Sequence, residues 1–320
     1  MTHAVPAVPA GLKVMNVTGR LSVVDGGPRA WAGVHDGCLA ADDRALTLLN
    51  AVVANVWWRA GLELLPGPCT LLACHDLTVA IGGGEGRVSV DGVDVAPWRP
   101  LHLSTGQQLR LGPCTAGLVR VIAIAGGCAT RPGTRLAGGA VVDLDVDLDV
   151  DVTAGPDAAV EADPVARPPG KQDHDAHLQN LSVLRVVAGH ERDRCGDDVW
   201  SALLQHAFTV SPLSSRQGLR LTSATPLPMS ATHDADATSM ATVPVWPGAV
   251  QLLPSGQPLV LGPDSIMTGG YPRLAHVIAV DRYRLAQLRP GTDVRFEAVS
   301  VDDARQWHAQ FEARFRPCRP

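Results

Sequence analysis

Along most of this chain, short runs that are either apolar or alternate apolar with polar residues recur. They occur at 77–81, 87–90, 109–111 and 118–124 in the first half, and at 184–187, 219–221, 259–261, 276–280 and 294–298 in the second. A period of two puts successive side chains on opposite faces, the signature of a strand. Gly, Pro, Asp and Asn break the runs. Many short strands with such turns predict a sandwich or barrel rather than a doubly wound sheet. Val90-Asp91-Gly92-Val93 predicts a two-residue hairpin, because Asp-Gly supplies the positive φ that such loops need. The glycine cluster Gly82-Gly83-Gly84-Glu85-Gly86 reads as a hairpin loop. Helical spacing is rare. Residues 42–59 carry Leu46, Leu49, Val52, Val53 and Val56 on one face, with Asp42 or Asp43 placed to cap the start. Further helices are expected over 201–208 and 300–310.

One stretch keeps the period of two but places an acid at every other position, which would give a strand one acidic face. Residues 143–151 alternate Asp with Leu or Val, and the chain then turns Pro-, Ala- and charge-rich through Pro168-Pro169-Gly170. A calcium loop would need Asp-x-Asp-x-Asp-Gly to wrap carboxylates around one ion, and that pattern is absent. The segment reads as a solvated linker. The expected division is therefore a β-barrel domain over 1–142, an acidic and Pro-rich linker over 143–180, and a second β-barrel domain over 181–320.

Composition narrows the function classes. Of the 320 residues, 46% are hydrophobic, enough for a substantial core. The net charge is −5 with no basic block, which argues against nucleic acid or an acidic membrane as partner. Lysine occurs only at Lys13 and Lys171. Gly170-Lys171-Gln172 lacks the Ser or Thr that completes a P-loop. Seven cysteines, an odd number without a Cys-x-x-Cys, suit reduced and mostly buried thiols. The N-terminus lacks the apolar core of a signal peptide, and no apolar run is long enough to span a bilayer. A cytoplasmic protein is the expectation.

The densest chemistry lies near the C-terminus. Thr268-Gly269-Gly270-Tyr271-Pro272 precedes an apolar run and Asp281, followed by Gln287-Leu288-Arg289-Pro290-Gly291. Upstream come Asn50-Ala51-Val52-Val53-Ala54-Asn55, Leu62-Glu63 with Gly67-Pro68, and Ala123-Ile124-Ala125-Gly126-Gly127. Ser215-Arg216-Gln217-Gly218-Leu219-Arg220-Leu221, Gly248-Ala249-Val250-Gln251 and Pro254-Ser255-Gly256-Gln257-Pro258 follow. In this order the blocks resemble the KipA-type family, which includes the C subunit of bacterial 5-oxoprolinase and the second half of the urea amidolyase carboxyltransferase region (allophanate hydrolase subunit 2). The resemblance runs from about residue 15 to 310, linker excepted. It departs at Cys38, Leu39 and Val121, where the family carries Ser, Gly and Tyr, and the early Gln-Asp pair keeps only Asp25. These losses fall in the first half and weigh on that half's catalytic competence.

The resemblance implies two packed cyclophilin-like β-barrels. It also implies a protein that works with a KipI-type partner, and with a LamB/YcsF-type subunit in 5-oxoprolinase, to open 5-oxoproline to glutamate at the expense of ATP. A close variant is biotin-dependent carboxyl transfer to urea or a related amide. A regulatory protein that sequesters a KipI-type kinase inhibitor, or a decayed paralogue, is the alternative. Biotin would have to sit on a partner, because no Ala-Met-Lys-Met attachment site occurs here. ATP would be used by the complex.

Either reaction needs fixed donors on a carbonyl, charge for a phosphate or carboxylate, and a base. The candidate catalytic residues are Arg216, Asp264, Gln251 and Tyr271. The candidate substrate-binding residues are Thr268, Gly269, Gly270, Asp42, Asn50 and Glu63. Arg216 offers a planar fork and the Gly-Gly amides offer an anion nest. Each has a plainer reading: Arg216 pairing with an acid, Asp264 capping a turn, Gln251 satisfying buried backbone, Tyr271 a core ring, Asp42 a helix cap, and Asn50 a structural hydrogen bond. His174 and His177 with Asp173 and Asp175 make a weak zinc candidate, since a loop supplies no preorganised third ligand. A Gly-x-Ser-x-Gly elbow is absent.

Overall fold

The computed structural model describes residues 11–26, 39–144, 177–228 and 240–315. Contacts divide the chain into two compact units. One comprises Met1–Ala32 with Ala45–His177, and the other Gly33–Arg44 with Leu178–Pro320. The expected linker falls almost wholly outside the described residues, as do Cys38 and His174.

The first unit carries its strands in two six-stranded sheets. One has the order β12 (Val141–Asp143), β1 (Gly11–Val17), β4 (Cys69–Ala73), β9 (Gln108–Leu111), β6 (Val88–Val90) and β7 (Val93–Asp94). The other runs β11 (Arg135–Leu136), β2 (Leu21–Val24), β3 (Gly61–Leu64), β10 (Ala116–Ile124), β5 (Leu77–Glu85) and β8 (Leu101–Leu103). The period-two runs place Leu12, Leu71, Val79, Leu109 and Ile122 in one core cluster. The hairpin between β6 and β7 forms as expected, with Asp91 at φ 48° and Gly92 at φ 87°.

The glycine cluster does not form a loop. Gly82, Gly83 and Gly84 lie inside β5 and are buried. A Cβ at Gly82 would come within 2.7 Å of the Trp98 ring, so glycine here admits an aromatic side chain against the strand. Gly83 takes φ 86° where the register between β5 and β10 shifts, the mark of a bulge.

Helix α1 spans Asp43–Val52, shorter than its apolar spacing predicts. The Asn55 amide donates to Asn50 O at 2.8 Å and the Ala54 amide to Ala51 O at 3.3 Å, the two bonds of a Schellman stop. Ala54 occupies the left-handed position at φ 57° that glycine usually takes. Val56, counted on the helical face, lies beyond the stop and is exposed.

The second unit holds a closed seven-stranded barrel. Its order is β13 (Val183–Ala188), β20 (Arg273–Val277), β17 (Ala249–Leu252), β18 (Pro258–Leu261), β15 (Gly218–Thr222), β14 (Phe208–Val210) and β21 (Asp293–Ala298). β13 and β21 pair in parallel and close the barrel. Phe208 and Phe296 meet edge to face in its core, with ring centroids 5.8 Å apart. The molecule is mainly β.

Three predicted elements change at their ends. The run at 276–280 is strand only to Val277, and Ala279–Asp281 then forms a 3-10 turn. Asp281 is fully buried there and accepts from Arg185 Nε at 2.8 Å and Nη2 at 2.6 Å, so the turn is fixed by a distant side chain. The helix expected over 201–208 spans Asp197–Gln205, and Phe208 begins a strand. The last helix spans Val301–Phe315. Ser300 accepts from the Asp303 amide at 3.0 Å and donates to its carboxylate at 2.7 Å, which caps the start. Among the described residues no helix is long and apolar enough to cross a membrane.

Candidate functional site

Arg216 and Asp264 meet. Arg216 Nε donates to Asp264 Oδ2 at 2.9 Å and Nη2 to Oδ1 at 2.8 Å, a fork-to-carboxylate pair. Nη2 also donates to the carbonyl of Leu39 at 2.7 Å, and the Asp264 amide donates back to Arg216 O at 3.0 Å. Both side chains are mostly buried. The substitution at Leu39 is therefore mild for this contact, because a backbone carbonyl is available from any residue. With one edge of the fork held by carboxylate, Arg216 clamps the loop after β18 and keeps little charge to offer a ligand.

Gln251 lies on β17, where the register to β20 shifts between Val250 and Gln251. Its side chain is only 3% exposed, and Nε2 has no hydrogen-bond partner among the described residues. A buried donor left unmade costs about 1–3 kcal/mol, which marks the position. The amide lies against Gly269: a Cβ there would sit 2.5 Å from Nε2. Gly269 thus serves close approach. Neither it nor Gly270 takes positive φ, so the pair does not adopt the left-handed half of an anion nest. Thr268–Gly269 instead forms β19, paired with Val243–Pro244. Thr268 is exposed. Tyr271 is 38% exposed, so its ring is at the surface rather than in the core.

Asp42 is fully buried and accepts from Gln287 Nε2 at 2.5 Å. Two motifs far apart in sequence thus touch. Beside them Arg282 Nη2 donates to Asp43 at 3.3 Å. Arg282 also lies along Gly248, at the entry to β17. His276, opposite Ala249 across the ladder, is held below the usual imidazole value by burial and then by the guanidiniums of Arg273 and Arg282. Both effects favour its uncharged form.

The remaining candidates, Asn50 and Glu63, belong to the first unit. Asn50 Nδ2 donates to Trp57 O at 3.2 Å and Arg59 O at 2.9 Å, and its Oδ1 accepts from Asn55 at 3.0 Å. That is the structural reading of Asn50. Glu63 lies buried on β3, opposite Ser22 and Val121. Among the described residues no cluster of His, Cys, Asp and Glu could hold a metal ion. Burial pushes the thiols of Cys69 and Cys128 up to about 12.

Reading by motif missed His276, Arg282 and Gln287 as parts of this neighbourhood. All three lie in the segment already singled out, so the signal was present, but nothing local says which polar residues turn inward.

A model of the carboxyltransferase domain, subdomain A and B, matches residues 33–298. The chain is 30% identical over 306 residues to the C subunit of the 5-oxoprolinase of Escherichia coli strain K12, across 92% of this chain and 93% of that protein. It is 25% identical over 276 residues to the corresponding 5-oxoprolinase protein of Haemophilus influenzae, across 83% and 84% of the two. Among solved structures, the urea amidolyase of K. lactis superposes with a TM-score of 0.77 at 20% identity, which speaks for the fold. That match covers 97% of this chain, which spans only 20% of the larger protein.

Proposed function

The chain belongs to the carboxyltransferase domain family, subdomain A and B, and from that premise we propose that it is one subunit of an ATP-dependent 5-oxoprolinase. The observation that carries the reading is the match to the C subunit of a 5-oxoprolinase along nearly the whole of both chains. KipI-type and LamB/YcsF-type proteins complete the assembly. Ring opening adds water across the amide bond of 5-oxoproline and yields glutamate. In this reading Gln251 donates to the ring carbonyl, because it holds a buried amide donor without a partner. Thr268 and Tyr271 form the rim that receives the substrate. The Arg216–Asp264 pair positions the preceding loop. ATP supplies activation of the carbonyl when bound. The residues described here do not fit it by themselves, because the fork of Arg216 is taken up by Asp264, so nucleotide binding is assigned to the assembly.

The test is co-expression with the two partner proteins and assay of glutamate released from 5-oxoproline with and without ATP. Release that depends on ATP and on this chain is the expected result. A stable complex without release would eliminate the reading. Gln251→Leu should lower kcat by about 100-fold, the usual scale for one lost donor on a reacting carbonyl. The same change should leave the melting temperature unchanged or raised, because it removes an unsatisfied buried amide. Wild-type turnover in that variant would take Gln251 out of the site.

A further inference from the structure

We propose that the first unit carries a separate binding site for a small monocarboxylate with a flat apolar body, built around Arg120. Arg120 projects from β10 and is 1% exposed. Its Nε donates to Gly84 O at 3.3 Å, Nη1 to Arg87 O at 3.3 Å and Nη2 to Pro113 O at 3.4 Å. These bonds are long, and backbone carbonyls bring only partial charge. Cys114 is its titratable neighbour. Among the described residues no carboxylate pairs with it, although a buried ion without a counter-charge is costly.

A cavity of about 190 Å³ opens beside the guanidinium. Ile81, Val88, Pro97 and Trp98 give it apolar walls, and Gly82 and Gly86 give it room. A Cβ at Gly86 would strike Arg120 Nη2, so glycine is what lets the guanidinium seat there. Glu85 also borders the cavity but is exposed. Trp98 is held at φ 62°, an unusual conformation for an aromatic residue, with its ring laid on Gly82. Strain of that kind collects where a fold shapes a ligand site. A carboxylate matches the guanidinium fork in two parallel bonds. The indole offers a face for a flat body. Phosphate, strongly hydrated and without an apolar part, suits these walls less well.

Titration calorimetry of the full chain with benzoate tests the site, with benzamide as the uncharged control of the same shape. Benzoate should bind at millimolar concentration or below, and at least tenfold more tightly than benzamide. Arg120→Gln should weaken it at least tenfold. Val88→Phe, which fills the cavity and keeps the arginine, should abolish it. Gln251→Leu should leave it unchanged, so this site and the proposed reaction stand or fall separately. Equal binding of acid and amide, no heat with millimolar benzoate, or binding that survives Val88→Phe would each overturn the proposal. The comparison of acid with amide uses the unmodified chain, so the test holds even where a variant fails to fold.

Discussion

In the first unit, Arg120, Asn50 and Asn55 direct their buried donors mainly to backbone carbonyls. In the second, Arg216, Arg273 and Arg185 each face a carboxylate from a distant part of the chain. Bonds to carbonyls fix the path of the backbone and do not depend on pH. Pairs of side chains fix the relative positions of two elements, carry full charges, and respond to acid. The contrast separates a unit whose buried polar groups shape the chain from one whose paired charges brace the loops around Gln251.

The largest effect expected from breaking the contrast is at Arg273. It donates to Glu191 from Nε at 2.7 Å and Nη2 at 2.5 Å, and its backbone amide adds a bond at 3.0 Å. Arg273→Met leaves the Glu191 charge in place without its partner. Chemical denaturation should show a loss of about 3–5 kcal/mol. A loss under about 1 kcal/mol would mean that the pair behaves like a surface ion pair. Acid sharpens the same point. Hydrogen bonds from Arg273 depress the Glu191 carboxyl below its ordinary value of 4.5. Its contribution is therefore intact above that value and is lost as pH falls through the lower folded value. Glu191→Gln should flatten this acid limb of the stability profile.

Asn55 tests the first unit. It donates to Ile124 O at 2.8 Å, accepts from the Gly126 amide at 2.8 Å and donates to Asn50 at 3.0 Å. Asn55→Ala should cost about 2 kcal/mol, since it strands backbone groups in the interior. The loss should not change as pH falls below 4.5, unlike that at the Arg273–Glu191 pair. The smallest effect is at Ala54, whose φ of 57° disfavours any side chain. Ala54→Gly should raise stability by less than about 1 kcal/mol. A loss of stability would show that the left-handed strain there is already relieved.

Local pattern was enough for the strands at 109–111, 118–124 and 219–221, and for the Asp91-Gly92 hairpin, because the period of two and the turn chemistry both act within a few residues. It failed at Gly82–Gly86, where glycine serves a ring that arrives from Trp98 rather than a turn. It failed again at 278–281, where the buried pairing of Asp281 with Arg185 ends a strand that β propensity would continue. In the candidate site, Gln251 and the Thr268–Tyr271 strip were legible from motif order alone. Gln287, whose partner Asp42 comes from the opposite end of the chain, was not.

By itself, the sequence determined that this is a mainly β protein with few helices and which short segments carry its polar chemistry, since periodicity and turn residues are local properties. The tertiary structure alone decided that Arg216 faces Asp264, that among the described residues the Gln251 amide is buried without a partner, and that Arg120 lines a cavity without a carboxylate paired to it. Those outcomes depend on barrel closure and strand register, which bring together residues that have no local reason to meet.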